Sequence, residues 1–321
     1  MKRTISLILA LLLTFALCAC AEKPSGEPAE KTYTIGICQI TQHPALDAAT
    51  EGFKTAIREK LGDRVTFLDG NALGDPATCA VICGQFVAEE ADLILANATP
   101  SLQAAAAATN SIPILGTSVT DFGTALAMEL NNGATGVNIS GTSDFVSSED
   151  QAALVKELFP DAGIVGLLYC SGEDNSLFQA QGLTVALEAL GYEVKSFTFA
   201  DSNDVAAVTE TACDGSDVIF IPTDNTAASC AEAIRNVAVN AGTPIICGEE
   251  GACAGCGVAT LTISYYELGY ATGEMALEIL NGADISQMPV RRAPTLTRKY
   301  NAEICAALGL TVPEGYVPIG D

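Results

Sequence analysis

The chain has 321 residues, 49% of them hydrophobic and 17% charged, enough for one large or two medium globular domains with real cores. Its formal net charge of −24 argues against nucleic acid and anionic membrane surfaces as partners. Twelve cysteines with a single histidine leave little room for a His-based metal site or catalytic triad.

Residues 1–19 read as a signal peptide. Lys2 and Arg3 precede an apolar run from Ile5 to Ala19 that is too short to serve well as a membrane span. Leu17-Cys18-Ala19-Cys20 is similar to a bacterial lipobox, with Cys20 as the residue to be cleaved before and lipidated. Residues 20–32 lack apolar periodicity and fit a flexible tether. A protein anchored outside the membrane through Cys20 is the expectation.

The globular part opens with a β-prone run from Thr34 to Ile40, a polar break at Thr41-Gln-His-Pro44, and a helical face made by Leu46, Ala49, Phe53 and Ile57. A strand feeding a helix through a polar turn is the unit of a parallel α/β sheet, which binds ligands at the carboxyl ends of its strands. Gln42 is the expected contact from this turn, with His43 and Pro44 as the scaffold that aims it. Further strands are expected at Val65–Asp69, Asp92–Asn97, Ile112–Thr117 and Asn138–Thr142. The programme then repeats from Gly163. Asp217–Pro222 matches Asp92–Asn97, and Thr243–Gly248 echoes Ile112–Gly116. The result is an α/β protein of two doubly wound, parallel-sheet lobes. Residues 33–141 with 264–294 form the N-terminal lobe, and 142–263 with 295–321 the C-terminal lobe. Crossings near Thr142, Ile263 and Thr295 make a three-strand hinge.

The turns at the strand ends supply the candidate ligand-binding residues. Ala98, Thr99 and Ser101 start a helix whose free N–H groups suit a carboxylate, or serve as an ordinary cap. Thr120 and Asp121 end a strand and offer a hydroxyl and a carboxylate, or cap the next helix. Glu173, Asn175 and Ser176 follow a strand at the facing edge, Asp224 and Asn225 are the strongest pair of the second half, and Glu249 comes from its next turn. Tyr265 would stack on a ligand or fill the core. Phe122, Phe178 or Tyr265 would form an apolar wall. Cys253-Ala-Gly-Cys256 reads as a glycine-rich loop carrying free thiols or a local disulfide, with Cys79 and Cys83 as a second possible pair.

Gly36-Ile-Cys-Gln-Ile-Thr-Gln-His-Pro-Ala-Leu-Asp47 with Glu51-Gly-Phe53 resembles the opening signature of the tryptophan/tyrosine-type family of ABC-transporter substrate-binding lipoproteins. The resemblance recurs at Ala98-Thr-Pro100, Val119-Thr-Asp121, Glu173-Asp-Asn-Ser176, Pro222-Thr-Asp-Asn225 and Tyr265-Tyr-Glu-Leu-Gly269. It implies a type I periplasmic-binding-protein fold, a ligand in the cleft between the lobes, and delivery to an ABC permease and its ATPase. An aromatic or other apolar amino acid is the implied ligand. Two departures stand out: Phe122 replaces the usual Pro after Asp121, and Ser264 replaces the usual Asp before the Tyr pair. No cofactor and no enzymatic activity are expected. The chain has no Gly-x-Ser-x-Gly elbow and no phosphate loop ending in Gly-Lys-Ser/Thr. A ligand-sensing module on the same fold, a nucleoside or sugar receptor, and a redox protein using Cys253 and Cys256 are the alternatives.

Overall fold

The computed structural model describes residues 30–292, 295–312 and 314–320. The signal peptide, Cys20 and nearly all of the tether lie outside these residues. Among the described residues, no helix is long and apolar enough to cross a membrane.

The first sheet contains β1 (Tyr33–Gln39), β2 (Val65–Asn71), β3 (Leu93–Asn97), β4 (Ile114–Val119) and β5 (Ile139–Ser143). The second contains β6 (Ile164–Cys170), β7 (Glu193–Phe199), β8 (Val218–Ile221), β9 (Ile245–Cys247) and β10 (Ala259–Thr262). The chain then returns β11 (Arg291–Arg292) to the first sheet, while β12 (Thr297–Tyr300) and β13 (Val317–Pro318) complete the second. The spatial orders are β11-β5-β4-β3-β1-β2 and β13-β12-β10-β9-β8-β6-β7. Every pairing is parallel except β10 with β12. In both orders the first strand of the half lies inside, between the second and third. That is the mark of a doubly wound sheet and creates a crevice at the carboxyl ends.

Helices cover both faces, so the central strands are apolar throughout, as buried parallel strands require. Leu93, Leu95 and Leu115 face one layer with Phe53, Ile57 and Met275, whereas Ile94, Ala96 and Ile114 face the other with Phe86 and Leu102. In the second sheet Val165, Leu167, Val218 and Phe220 alternate in the same way with Leu168, Ile219 and Ile221.

Helix α1 (Pro44–Leu61) begins with Pro44 in its first turn, where a missing N–H is tolerated, and ends on Arg58 and Lys60, which complement the helix dipole. Helices α2 (Pro76–Ala88), α3 (Thr99–Ala108) and α4 (Phe122–Leu126) follow in the first lobe. The second has α5 (Ser148–Leu158), α6 (Asp174–Ala189), α7 (Val205–Gly215), α8 (Asn225–Ser229), α9 (Ala231–Ala241) and α10 (Glu250–Cys256). Helix α11 (Tyr265–Leu280) crosses back to lie against α1, and α12 (Ala302–Ala307) closes the second lobe. The α1–α11 contact is made by small residues: a Cβ on Gly269 would lie 1.8 Å from the Ala49 carbonyl oxygen.

Two passages between the sheets, Ser143 to Ser148 and Thr262 to Tyr265, are fully described. The third, from Arg292 to Thr297, includes residues 293–294, which are outside the described set. The expected glycine-rich loop at Cys253 is instead helix α10. Glu249 caps it by accepting from the Gly251 and Ala252 N–H groups, and the alanines favour the helix.

Candidate functional site

Eleven residues from both lobes enclose a small cavity: His43, Leu46, Ser118, Thr120, Asp144, Asn175, Thr223, Asp224, Asn225, Glu249 and Tyr265. Each lies at or just beyond the carboxyl end of a strand, namely β1, β4 and β5 in the first sheet and β6, β8, β9 and β10 in the second. The space left between these side chains is about 10 Å³, room for about one water, so a larger ligand needs them to move apart. A wider groove on the hinge side is lined by Glu250, Ile263, Tyr266, Thr297 and Lys299 among others. Its one cation is already paired, Lys299 on Glu250 at 2.7 Å, and it holds none of the unsatisfied buried side chains. The smaller cavity is therefore the place where unspent binding capacity collects.

Four buried side-chain atoms lining that cavity have no hydrogen-bond partner: His43 Nδ1, Ser118 Oγ, Asp144 Oδ1 and Asn175 Oδ1. An unsatisfied buried polar atom costs about 1–3 kcal/mol, so four in one place mark a built recognition site.

In the first lobe, His43 is the N-cap residue of α1 in extended conformation and is buried, while its neighbour Gln42 is exposed. The expected roles are exchanged. Extended backbone sends successive side chains to opposite sides, so the turn that buries His43 points Gln42 outward, beside Gln39, Asp47 and Asn71. Ser118 adopts φ +55° where the β4–β5 register shifts between Gly116 and Val119. This irregularity turns its hydroxyl into the cavity, as bulges beside functional sites do. Thr120 lines the cavity and accepts from Gln179 Nε2 of the second lobe at 3.4 Å. Asp121 does not reach the site; its carboxylate caps α4 by accepting from Thr124 N–H at 2.7 Å. Ser101 faces backwards, 3.6 Å from the Cys79 thiol. Ala98 and Thr99 are buried at the start of α3, the Thr99 hydroxyl without a partner, but neither lines the cavity.

In the second lobe, Glu173 holds the turns together. Its carboxylate accepts from the Asn225 and Thr226 N–H groups, Thr226 Oγ1, and the amides of Asn225 and Asn175. Ser176 is buried beneath, accepting from Asn175 Nδ2. Asp224 accepts from the Ala227 and Cys170 N–H groups. Burial, reinforced by the charge of Glu173, pushes its carboxyl up to about 7. Glu249 is 1% exposed. Burial raises its pKa, opposed by nearby His43 and by its two backbone N–H bonds.

Sequence reasoning missed Leu46, Ser118 and Thr223 as lining residues and, most consequentially, Asp144. It follows β5 in the first passage between lobes and is 3% exposed. Oδ2 accepts from the Tyr265 hydroxyl at 2.9 Å, and Oδ1 is free. Burial, against the Tyr265 and Thr120 hydrogen bonds, pushes its carboxyl up to about 6. Tyr265 itself, at the first turn of α11, is held protonated far above its ordinary range by burial and by Asp144. Ser264 is an exposed N-cap accepting from Glu267 N–H, so the departure at that position concerns capping and leaves the cavity untouched. Phe122 packs under Gly116 and Phe178 against the ring of Phe145, so neither forms a wall of the cavity.

The described cysteines are free thiols, Cys79, Cys83, Cys253 and Cys256 included. The Cys38 thiol beside Cys79, the Cys247 thiol beside Cys256, and burial of all three raise the pKa of Cys79, Cys253 and Cys256, which disfavours the thiolate that redox chemistry needs. No group of metal-ligating side chains occurs among the described residues.

Three comparisons bear on the whole arrangement. The family model for ABC transporter substrate binding proteins matches residues 34–317. A tyrosine-binding protein of Clostridioides difficile is 35% identical over 304 residues, covering 90% of this chain and 87% of that protein. Among solved structures, an ABC domain from Streptococcus pneumoniae in complex with L-Trp superposes with a TM-score of 0.84 at 31% identity, covering 88% of this chain and 97% of the other. The ligand-free, open form of a substrate binding protein from Clostridium difficile reaches only 0.67, despite 36% identity over 89% of this chain and 99% of the other. The chain thus superposes better on the L-Trp complex than on the ligand-free, open form. The fold, the facing strand ends and the matched length agree: the chain belongs to the ABC transporter substrate binding proteins.

Proposed function

We propose that this chain is the extracytoplasmic receptor of an ABC importer and that it binds an amino acid in the cavity between its lobes. The observation that carries the reading is the set of unsatisfied buried atoms from both lobes around one cavity. The tyrosine-binding and L-Trp-bound relatives support an α-amino acid as the class. Asp144 Oδ1 takes the ammonium, and the Ser118 and Thr120 hydroxyls are the donors available to the carboxylate. Tyr265 and Leu46 are the apolar contacts that remain.

The mechanism is a population shift. Contacts from the two lobes coexist only when the lobes meet, so a ligand that engages both has differential affinity for the closed form. Closure is supported without ligand by weak cross-lobe bonds: Gln103 Nε2 to Asp174 Oδ2 at 2.8 Å, Gln179 to Thr120, and His43 to Asn225. The closed form is what a permease and its ATPase would recognise, and lipidation of Cys20 would hold the receptor beside them. The chain performs no chemistry on its cargo.

A thermal-shift screen of the chain without its first 19 residues against the twenty amino acids, nucleosides and sugars tests this, because a ligand specific for the folded state raises the melting temperature by mass action. An amino acid should give the largest rise. A rise with a nucleoside or sugar and with no amino acid overturns the proposal.

A further inference from the structure

We infer that His43 completes a three-acceptor cradle for a primary ammonium and, through its other ring nitrogen, ties that ammonium to lobe closure. The inference rests on the amino-acid reading above and adds what selects the ligand's amino group.

The hydrogen-bond network assigns the amide and ring orientations on which this depends. Asn225 Nδ2 donates to Glu173 Oε2 at 2.6 Å, so its Oδ1 is the atom turned toward the first lobe, 3.4 Å from His43 Nε2. A carbonyl oxygen only accepts, so Nε2 carries the proton, and in the neutral ring Nδ1 is a bare acceptor. Asn175 is fixed in the same way. Its Nδ2 donates to the Thr223 carbonyl at 2.9 Å and to Glu173 Oε2, which leaves Oδ1 as its unsatisfied acceptor. Asp144 Oδ1 is the third.

These acceptors come from the first lobe, the second lobe and the passage between them, and all line the same cavity. Each residue is at least nine-tenths buried: His43 is 6% exposed, Asn175 5% and Asp144 3%. A primary ammonium has three N–H donors, one for each. Asp224 and Glu249 line the cavity too, but each of their oxygens already accepts a backbone N–H, from Cys170 at the end of β6 and Ala227 in α8 for Asp224, and from Gly251 and Ala252 in α10 for Glu249. They supply negative potential rather than open acceptor sites. Nothing else in the lining distinguishes a primary from an N-methylated amine so directly.

Two variants separate the two ring nitrogens. His43→Asn places an amide oxygen near the Nδ1 position but is too short to reach Asn225. His43→Gln keeps an amide donor near the Nε2 position and loses Nδ1. The probes are L-tyrosine and L-tryptophan, each beside its N-methyl derivative and its carboxamide. Affinity is read by calorimetry and lobe closure of the saturated protein by small-angle scattering.

In the parent protein the N-methyl forms should bind at least tenfold more weakly. His43→Asn should keep that preference while the saturated protein is less closed; His43→Gln should close normally while the preference falls by several-fold. A residue with a merely structural role would move both readouts together, and that result, or no change in either variant, overturns the inference. A loss in His43→Gln of discrimination against the carboxamide rather than the N-methyl form overturns it as well, since His43 would then read the carboxylate. Failure of both parent amino acids to bind removes the amino-acid reading for these ligands together with the inference. Equal binding of parent and N-methyl forms removes the inference alone.

Discussion

Replacing Asp144 by Asn should stabilise the ligand-free protein and weaken its hold on an amino acid. In the folded chain the Asp144 carboxyl is raised from an ordinary 3.8 to about 6, chiefly by burial. The folded state therefore binds this proton more tightly than the unfolded state does. The penalty is absent below about pH 4, grows as pH rises, and is complete above about pH 6. A displacement of that size corresponds to about 3 kcal/mol at neutral pH. The amide of the Asp144→Asn variant would keep an oxygen for the Tyr265 hydroxyl but turn an unpartnered N–H toward the cavity, which takes back about 1–2 kcal/mol. The net expectation is a gain of about 1–2 kcal/mol at pH 7.5, a rise of roughly 2–6 °C in melting temperature for a domain of this size. At pH 4, where the charge penalty is nearly gone, the variant should be no more stable than its parent. Affinity for the amino acid should fall about tenfold or more, since a charge-assisted bond worth about 1.5–3 kcal/mol is lost. Calorimetric unfolding at the two pH values, with titration of the amino acid at the higher one, reads all three effects. A variant less stable than its parent at pH 7.5, with undiminished affinity, would refute the reasoning.

Three further outcomes follow from the geometry. Glu173→Gln puts an amide NH₂ against the backbone and side-chain donors of Asn225 and Thr226, and should cost about 2–4 kcal/mol in denaturant unfolding; a midpoint unchanged from the parent contradicts the role given to Glu173. Gly269→Ala drives a methyl into the Ala49 carbonyl and should cost about 1–3 kcal/mol or more by forcing α1 and α11 apart, so full parent stability would show that the two helices are not held as described. Gln42→Ala, at an exposed position outside the cavity, should leave amino-acid affinity within about twofold, and a tenfold loss on titration would restore Gln42 to the site.

The two-lobe fold was legible because it is written in local signals. Buried runs such as Leu93–Asn97 and Val218–Ile221 alternate with proline- or acid-started helices, and the second half repeats the first. The strand-end turns were legible for the same reason, and Thr120, Asn175, Asp224, Asn225, Glu249 and Tyr265 do meet at one cavity. What each turn does with its polar groups was not. Asp121 and Asp224 each follow a strand, and both cap helices. Only the three-dimensional path leaves one beside the cavity and the other away from it. The choice between Gln42 and His43 depends on which way one extended residue faces, a half-turn that no local pattern records. Asp144 lies two residues past the expected crossing near Thr142 and carries no motif of its own. Its importance comes from burial beside Tyr265, 121 residues away. The α10 helix was hidden by its glycines, whose small size admits close neighbours: a Cβ on Gly255 would lie 2.4 Å from that of Ala231.

The central claim is that an amino acid sits in the enclosed cavity with its ammonium on Asp144. A crystal structure of the chain without its first 19 residues, grown with the amino acid that raises the melting temperature most, tests it directly. The account predicts the ligand nitrogen about 2.7–3.0 Å from Asp144 Oδ1, with His43 and Asn175 on its other sides. A ligand seated instead in the hinge-side groove beside Tyr266 and Lys299, with Asp144 Oδ1 still without a partner, would contradict it.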